Sequence, residues 1–283
     1  MKATANAHLS TQTACDWFGV SRQAYYQARK REVERAAQDH LVLELVQSIR
    51  SRHPRLGGRK LYHELQQPMA SLGIQRGRDR FFDLLRDNGL LVATKRRGCR
   101  TTRSGLWRCP NLIDGLTVER VNQVWVADIT YILTETGFLY LALITDAFSR
   151  FIVGYDLSSS LAVEGCQRAL ISALKRAGSV TLVGLIHHSD HGVQYAAAAY
   201  RDLLENAQIL SSMGEVGNCY ENALAERMNG ILKCEYGLDD LFIDIKQAQQ
   251  AVHEAVWLYN YERPHLSLNY RKPAKVYLAN DAF

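Results

Sequence analysis

Between residues 122 and 158 apolar and polar positions alternate with a period of two. In "QVWVADITYIL", Trp125, Ala127, Ile129 and Tyr131 fall on one side of a strand, and Val124, Val126, Asp128 and Thr130 fall on the other. "GFLYLALITDAFSRFIVGYDLS" continues as two more strands joined at the turn "DAFS". Both sides of these segments are largely apolar, so the sheet is expected to be covered on each face. "AVEGCQRALISALKRAG" then reads as a helix, "VTLVGLIHHS" as a fourth strand, "AAAYRDLLENAQ" as a helix and "ILSSM" as a short fifth strand. Three strands, a helix, then alternating strands and helices predict an α/β sheet with an antiparallel start.

The period is helical before residue 94. In "LSTQTACDWFGVSRQAYYQARKR", Ser10 is a candidate cap, Ala14, Trp17 and Phe18 form one stripe, Gly19 breaks the helix and Ser21 caps the next. The second helix carries Arg22, Gln23, Tyr25, Tyr26 and Gln27, residue types that contact phosphates and base edges. The pattern predicts a helix-turn-helix over residues 1–36; a short helical hairpin without a DNA role has the same outline. "QDHLVLELVQSIRSRHP", "RLGGRKLYHELQQ" and "RGRDRFFDLLRDNG" predict a second helical module over 37–93, burying Leu41, Leu45, Ile49, Leu61, Leu65, Phe81, Leu84 and Leu85 together. Residues 94–117, with "TKRRGCRTTRSGLWR", lack any period and read as a basic linker, either an arm in which Lys95, Arg96 and Arg97 lie along a phosphate backbone or a disordered spacer, two readings that are compatible.

Charge divides the chain in the same way. The net charge of +5 over 283 residues conceals 21 Lys and Arg against 9 Asp and Glu in residues 1–110, a balance of +12, and 13 against 20 in residues 111–283, a balance of −7. So basic a first half points to a polyanionic partner, of which nucleic acid is the common one. No apolar run approaches the ~20 residues of a membrane span, and the first residues lack the apolar block of a secretion signal. The six scattered cysteines show no short paired spacing of the zinc or redox kind. These features predict an intracellular protein with reduced thiols and without a membrane partner.

Three acidic residues stand out. Asp128 sits in the middle of an apolar strand, where a charge needs a partner or a cation; a lone buried Asp also serves as a hydrogen-bond hub. "GLIHHSDHGVQY" drives a strand into Asp190 among His187, His188, Ser189 and His191, and Gly192 predicts a tight bend aiming the carboxylate. In this strand order the end of the fourth strand lies beside the first, so Asp190 is expected next to Asp128. In "NCYENALAERMNGILKCE", Asn218 is a candidate cap with Glu221 closing a capping box, and Asn222, Glu226, Asn229 and Lys233 share a polar face opposite Leu224, Met228 and Ile231. A solvated helix face has the same appearance.

Asp128 in "WVADITYI", Asp190 in "HHSDHGVQY" and Glu226 in "NALAERMNGILK", with thirty-five residues between the last two, resemble the Asp-Asp-Glu triad of the insertion-sequence-three group of bacterial transposases, in the retroviral-integrase superfamily. The likeness continues through "SMGEVGNCYENA" and Lys233 to "LYNYERPH" and "RKPAKVYL". It departs at His191, where a basic or other polar residue is common, and at Glu221, where Asp is common. The resemblance implies a ribonuclease-H-like integrase catalytic core over 118–283, preceded by all-α helix-turn-helix DNA-binding modules. Asp128, Asp190 and Glu226 would be both catalytic residues and metal ligands, for two Mg²⁺ with Mn²⁺ able to substitute. Asp128 would bridge the ions, with Asp190 on one and Glu226 on the other, and His187, His188 and Ser189 would support Asp190.

What this implies is a transposase that cleaves element ends and joins the 3′-hydroxyl to target DNA. Its partners would be double-stranded DNA, further copies of itself on that DNA, and an upstream helix-turn-helix protein, free or fused by frameshifting. The setting would be the bacterial cytoplasm, in association with the nucleoid. Two other readings stay open: a ribonuclease-H-like nuclease, excluded by DNA joining, and a DNA-binding regulator with an inert triad, excluded by metal-dependent nicking.

Overall fold

The computed structural model describes residues 10–93, 107, 109–178, 182–214 and 223–280. They form two compact units, one from the described residues of Met1–Ser51 with Glu64–Leu91, the other from those of Arg52–His63 with Val92–Phe283.

The first unit opens with α1 (Thr11–Trp17) and α2 (Arg22–Arg50). Both starts are fixed as the sequence predicts: the Ser10 hydroxyl accepts the Thr13 N–H, and the Ser21 hydroxyl accepts the Ala24 N–H, each at 3.1 Å. The burial differs. Cys15 is the buried residue of α1, whereas Trp17 and Phe18 are 71% and 82% exposed, so the expected apolar stripe is not a core stripe. Nor does the chain change module at residue 36. Ala28 to Ala37 contain no glycine or proline and are mostly good helix formers, so α2 runs unbroken for 29 residues across that boundary. Its first part is exposed all round; further along, Val42 and Val46 are buried, while Leu41 is exposed and Leu45 and Ile49 are half-buried. α3 (Gly58–Ser71) continues through Pro68, and α4 (Arg78–Asp87) buries Phe81, Leu84 and Leu85.

Residues 52–63, expected within the helical module, instead belong with the second unit. Arg52 pairs with Glu262, Arg55 with Asp239 and Asp240, and Lys60 with Glu235 at 2.6 Å.

The second unit is built on a five-stranded sheet of β1 (Val124–Thr134), β2 (Gly137–Asp146), β3 (Ile152–Ser158), β4 (Ile186–Ser189) and β5 (Leu210–Met213), in the order β3-β2-β1-β4-β5. β1, β2 and β3 are antiparallel neighbours; β4 lies parallel to β1, and β5 parallel to β4. This is the ribonuclease-H-like arrangement. α5 (Val163–Ala177), α6 (Val193–Ala196) and α7 (Ala198–Asn206) accompany the strands; α8 (Ala223–Tyr236), α9 (Ile245–Tyr261) and α10 (Pro273–Tyr277) follow. β4 is only four residues long, since its expected beginning turns at residues 183–184.

The alternation in β1 divides the interior in two. Trp125, Ala127 and Ile129 pack in one core with Leu170 of α5 and Tyr200 of α7, while Val124 and Val126 pack with Ala225 of α8. Leu141 and Leu143 of β2, with Ile132, meet Met228 and Leu232 of α8 and Val252 and Tyr259 of α9. Helices thus cover both faces, as the apolar content of both faces requires.

Candidate active site

Register, rather than proximity in sequence, builds the site. β1 and β4 are paired in parallel with Ala127 opposite Ser189, so the next residues, Asp128 and Asp190, leave adjacent strands at the same level and on the same face. Val124 and Val126 share that face with Asp128, and α8 lies over it.

Asp128 is half-buried, and its two carboxylate oxygens are both used. Oδ1 accepts the Ile129 N–H at 2.9 Å and Oδ2 accepts the Asn229 side-chain N–H at 2.7 Å. Burial, and next the negative charge of Asp190, push its carboxyl up to about 7; the two hydrogen bonds oppose the rise and Glu226 adds to it. Asp190 and Glu226 thus both disfavour ionisation of Asp128. A cation at this place would remove that repulsion.

Asp190 is held by its own turn. The Gly192 N–H donates to Asp190 Oδ1 at 3.0 Å, and Ser189 Oγ donates to the Asp190 carbonyl at 3.0 Å. A Cβ on Gly192 would stand 3.0 Å from Oδ1 and 3.3 Å from both Gln194 Oε1 and Tyr195 Cδ2, so a side chain there would press on the carboxylate.

α8 supplies the third acid. Ala225, Met228, Asn229 and Leu232 make its buried stripe, and Glu226 is exposed. Asn229 therefore departs from the expected polar strip: it is buried against Asp128 because Asp128 gives it a polar partner. Its Oδ1 is buried and has no hydrogen-bond partner, an acceptor left over beside the acids. Lys233 is half-buried one turn further on and already has a partner. Asn218, Glu221 and Asn222, like Lys95, Arg96 and Arg97, lie outside the described residues.

Hard divalent cations take oxygen ligands, and Asp128, Asp190, Glu226 and the free Asn229 Oδ1 are a donor set of that kind. Among the described residues no three His, Cys, Asp or Glu side chains are drawn together closely enough to enclose an ion. Asp128 and Asp190 are set by the sheet, and Glu226 lies on the exposed side of α8.

The histidines before Asp190 have other duties. His187 is on the opposite face, where Tyr200 Oη lies 2.9 Å from Nε2; burial, then His188, push it down to about 3 and keep it neutral. His188 shares the acid face and its Nδ1 lies 2.9 Å from Ser212 Oγ on β5, which in turn accepts the Leu112 N–H. It pins the segment before β1 onto the sheet. Arg22 is the exposed first residue of α2.

The tail motif "LYNYERPH" is structural as placed. Asn260 Oδ1 accepts the Ile152 N–H at 2.9 Å and its Nδ2 donates to the Ile152 carbonyl at 3.1 Å, imitating a strand neighbour at the β3 edge. Arg263 forks onto Glu235 at 2.7 and 2.8 Å. Burial works against ionisation of Glu235, but Arg263 and Lys60 outweigh it and hold its carboxyl below the usual range. Sequence periodicity could not reveal this group, since its members come from three distant segments.

An integrase core domain model matches residues 118–219, and a second integrase core domain model matches residues 207–273. An insertion element IS600 uncharacterized 31 kDa protein from Shigella sonnei is 38% identical, over 92% of this chain and 96% of its own length. The transposase for insertion sequence element IS629, also from Shigella sonnei, is 33% identical over 78% of this chain and 75% of its own, and that for IS904 from Lactococcus lactis is 32% identical over 70% and 85%. The catalytic core domain of HTLV-2 integrase, solved in complex with magnesium, is similar over 56% of this chain and 97% of that one, at 20% identity and a TM-score of 0.43. With near full-length relatives among the insertion elements and integrase core matches running from residue 118 to residue 273, the chain belongs to the insertion-sequence transposases of the retroviral-integrase superfamily.

Proposed function

We propose that this protein is a DNA transposase that cleaves the ends of its insertion element and joins the freed 3′-hydroxyl to target DNA, using Asp128, Asp190 and Glu226. The observation that carries the reading is the β1–β4 register, which sets Asp128 and Asp190 side by side beneath the helix bearing Glu226. Two divalent cations, Mg²⁺ or Mn²⁺, would neutralise charge at the phosphorus, activate the attacking oxygen and stabilise the leaving one. Asp128 would be the shared ligand, with Asp190 holding one ion and Glu226 the other. To take up that role Asp128 releases to solvent the proton that burial and Asp190 favour. Asn229 fixes the orientation of Asp128 from α8, and the Gly192 N–H fixes Asp190. Glu226, exposed on α8, would complete the set.

Electrostatics support DNA as the partner of the first unit: Arg22, Arg29, Lys30, Arg31 and Arg35 are all exposed along α2. Binding is expected to weaken steeply as salt rises, and Arg22→Ala is expected to lower the slope of log affinity against log salt by about one, with similar loss on all sequences. A fluorescence-anisotropy titration at several salt concentrations reads this; an unchanged slope would take Arg22 off the phosphates. Further copies of the protein on DNA and an upstream helix-turn-helix partner, free or fused, belong to the same reading.

The direct test is cleavage and joining of labelled duplexes carrying the element's terminal repeats, with Mg²⁺ or Mn²⁺ and the upstream partner supplied. Absence of metal-dependent nicking would leave a DNA-binding regulator, and nicking without joining a nuclease. In that assay Gly192→Ala should cut about ten- to a hundredfold more slowly, because its methyl group displaces Asp190 rather than removing it. Wild-type rates would mean that the bend can relax without moving the carboxylate.

A further inference from the structure

We propose that a groove beside the carboxylates receives one nucleotide of the strand being cut, its base between apolar walls and its phosphate on Arg150. The proposal rests on the transposase reading and names a substrate subsite within it.

The groove encloses ≈ 490 Å³, within the range that holds compact organic ligands. Its floor is Val124 and Val126, which share the face of β1 with Asp128; Leu224, two residues before Glu226, forms one wall, and Leu116 and Ala147 line it further. Val126 lies two residues before Asp128, about 7 Å along the strand. That is close to two steps of ~3.4 Å along a DNA strand, so a base seated here belongs to a nucleotide one or two positions from the phosphate at the acids.

Apolar walls alone would suit any hydrocarbon, but the groove also carries Arg150 and Arg271. Arg150 Nε is buried and has no hydrogen-bond partner, although the charge of the buried Asp146 carboxylate acts on the guanidinium. A guanidinium stays charged at any working pH and offers its donors as a planar fork suited to phosphate. The backbone at Arg150 is in the left-handed region, φ 65°, where an arginine is rarely found. It is held there by its own N–H on the Asp146 carbonyl at 2.9 Å and by the Tyr259 hydroxyl, which donates to the Arg150 carbonyl at 3.0 Å. A flat apolar body with an attached anion, next to acids that act on phosphodiesters, describes a nucleotide. Seating its base requires leaving the stack, as enzymes that handle single bases commonly require.

The test uses the full-length protein and a terminal-repeat duplex with 2-aminopurine placed in turn at the two positions on either side of the cleavage point. Binding of the wild type without divalent metal should raise the fluorescence severalfold at one position, and Leu116→Trp, which fills the groove from its exposed rim, should abolish that rise. Ala147→Phe fills it from the buried side and serves as the second variant. Under cleavage conditions both variants should be at least tenfold slower on the intact duplex, and each should recover to within about threefold of wild type when that one nucleotide is abasic. Filled variants that cut the intact duplex at the wild-type rate, or a bound duplex with no rise at any position, would overturn the subsite. A wild type that binds with the rise but never cuts would overturn the transposase chemistry and leave the groove standing.

Discussion

Asp128→Asn is expected to make the metal-free protein more resistant to heat at pH 8 while stopping it from cutting DNA. In the fold the Asp128 carboxyl is pushed up to about 7, from an ordinary 3.8. The folded chain therefore keeps a proton between about pH 4 and 7 that the unfolded chain has lost, so this group's contribution to stability falls as pH rises through that window and stays low above it. The shift corresponds to a few kcal/mol, on the order of 4 at most. Asparagine carries no charge and escapes the loss. Its new N–H also has a waiting acceptor, because Asn229 can turn its amide and offer the Oδ1 that is now without a partner. For a unit of this size the gain should appear as a rise in melting temperature of about 5 °C or more in chelator at pH 8, vanishing near pH 4 where Asp128 is neutral in both states. Cleavage should fall about a thousandfold or more, since the ligand proposed to be shared by the two cations would lose its charge. A variant less stable than wild type at pH 8 would identify Asp128 as a hydrogen-bond hub of the kind Asp146 is, with its oxygens accepting from Asn122 N–H and from Ser149.

The pairing of the two aspartates was legible because it depends on few things: the period-two pattern of β1, the number and order of strands, and a carboxylate in the middle of one strand and at the end of another. What was not legible depends on partners remote in sequence. Asn229 reads as part of a polar strip, yet it is buried, since periodicity registers polarity and not whether a polar partner waits across the gap. Asn260 earns its burial from the backbone of Ile152, 108 residues earlier, and Arg263 from Glu235, which also takes Lys60 from 175 residues away. The same remoteness explains the misplaced segment 52–63: its own amphipathic pattern fits the helical module, and only Glu262, Asp239 and Glu235 show where it belongs. In α2 the change of composition near residue 36 looks like a boundary, but nothing in the backbone chemistry stops a helix there. Trp17 and Phe18 fit a helical stripe equally well whether or not anything covers them, and α1 leaves both exposed.

Glu226→Gln is expected to separate folding from chemistry more cleanly than either aspartate. Glu226 is exposed on α8 and makes no hydrogen bond or ion pair among the described residues, while the helix is anchored by Ala225, Met228, Asn229 and Leu232. Glutamine keeps the length of the side chain and disturbs none of these, so the melting temperature of the metal-free protein should stay within about 1 °C of wild type, as surface substitutions usually do. Adding Mn²⁺ should then distinguish the two. A ligand that binds only the folded state at a hundred times its dissociation constant adds about 2.7 kcal/mol, so wild type should gain several degrees and Glu226→Gln distinctly less, one anionic ligand having gone. Cleavage of a labelled terminal-repeat duplex should drop about a thousandfold or more with either metal, and binding to that duplex, which we assign to the exposed arginines of α2, should persist. A normal Mn²⁺ response together with near wild-type cutting would remove Glu226 from the site and return α8 to an ordinary helix with one solvated face.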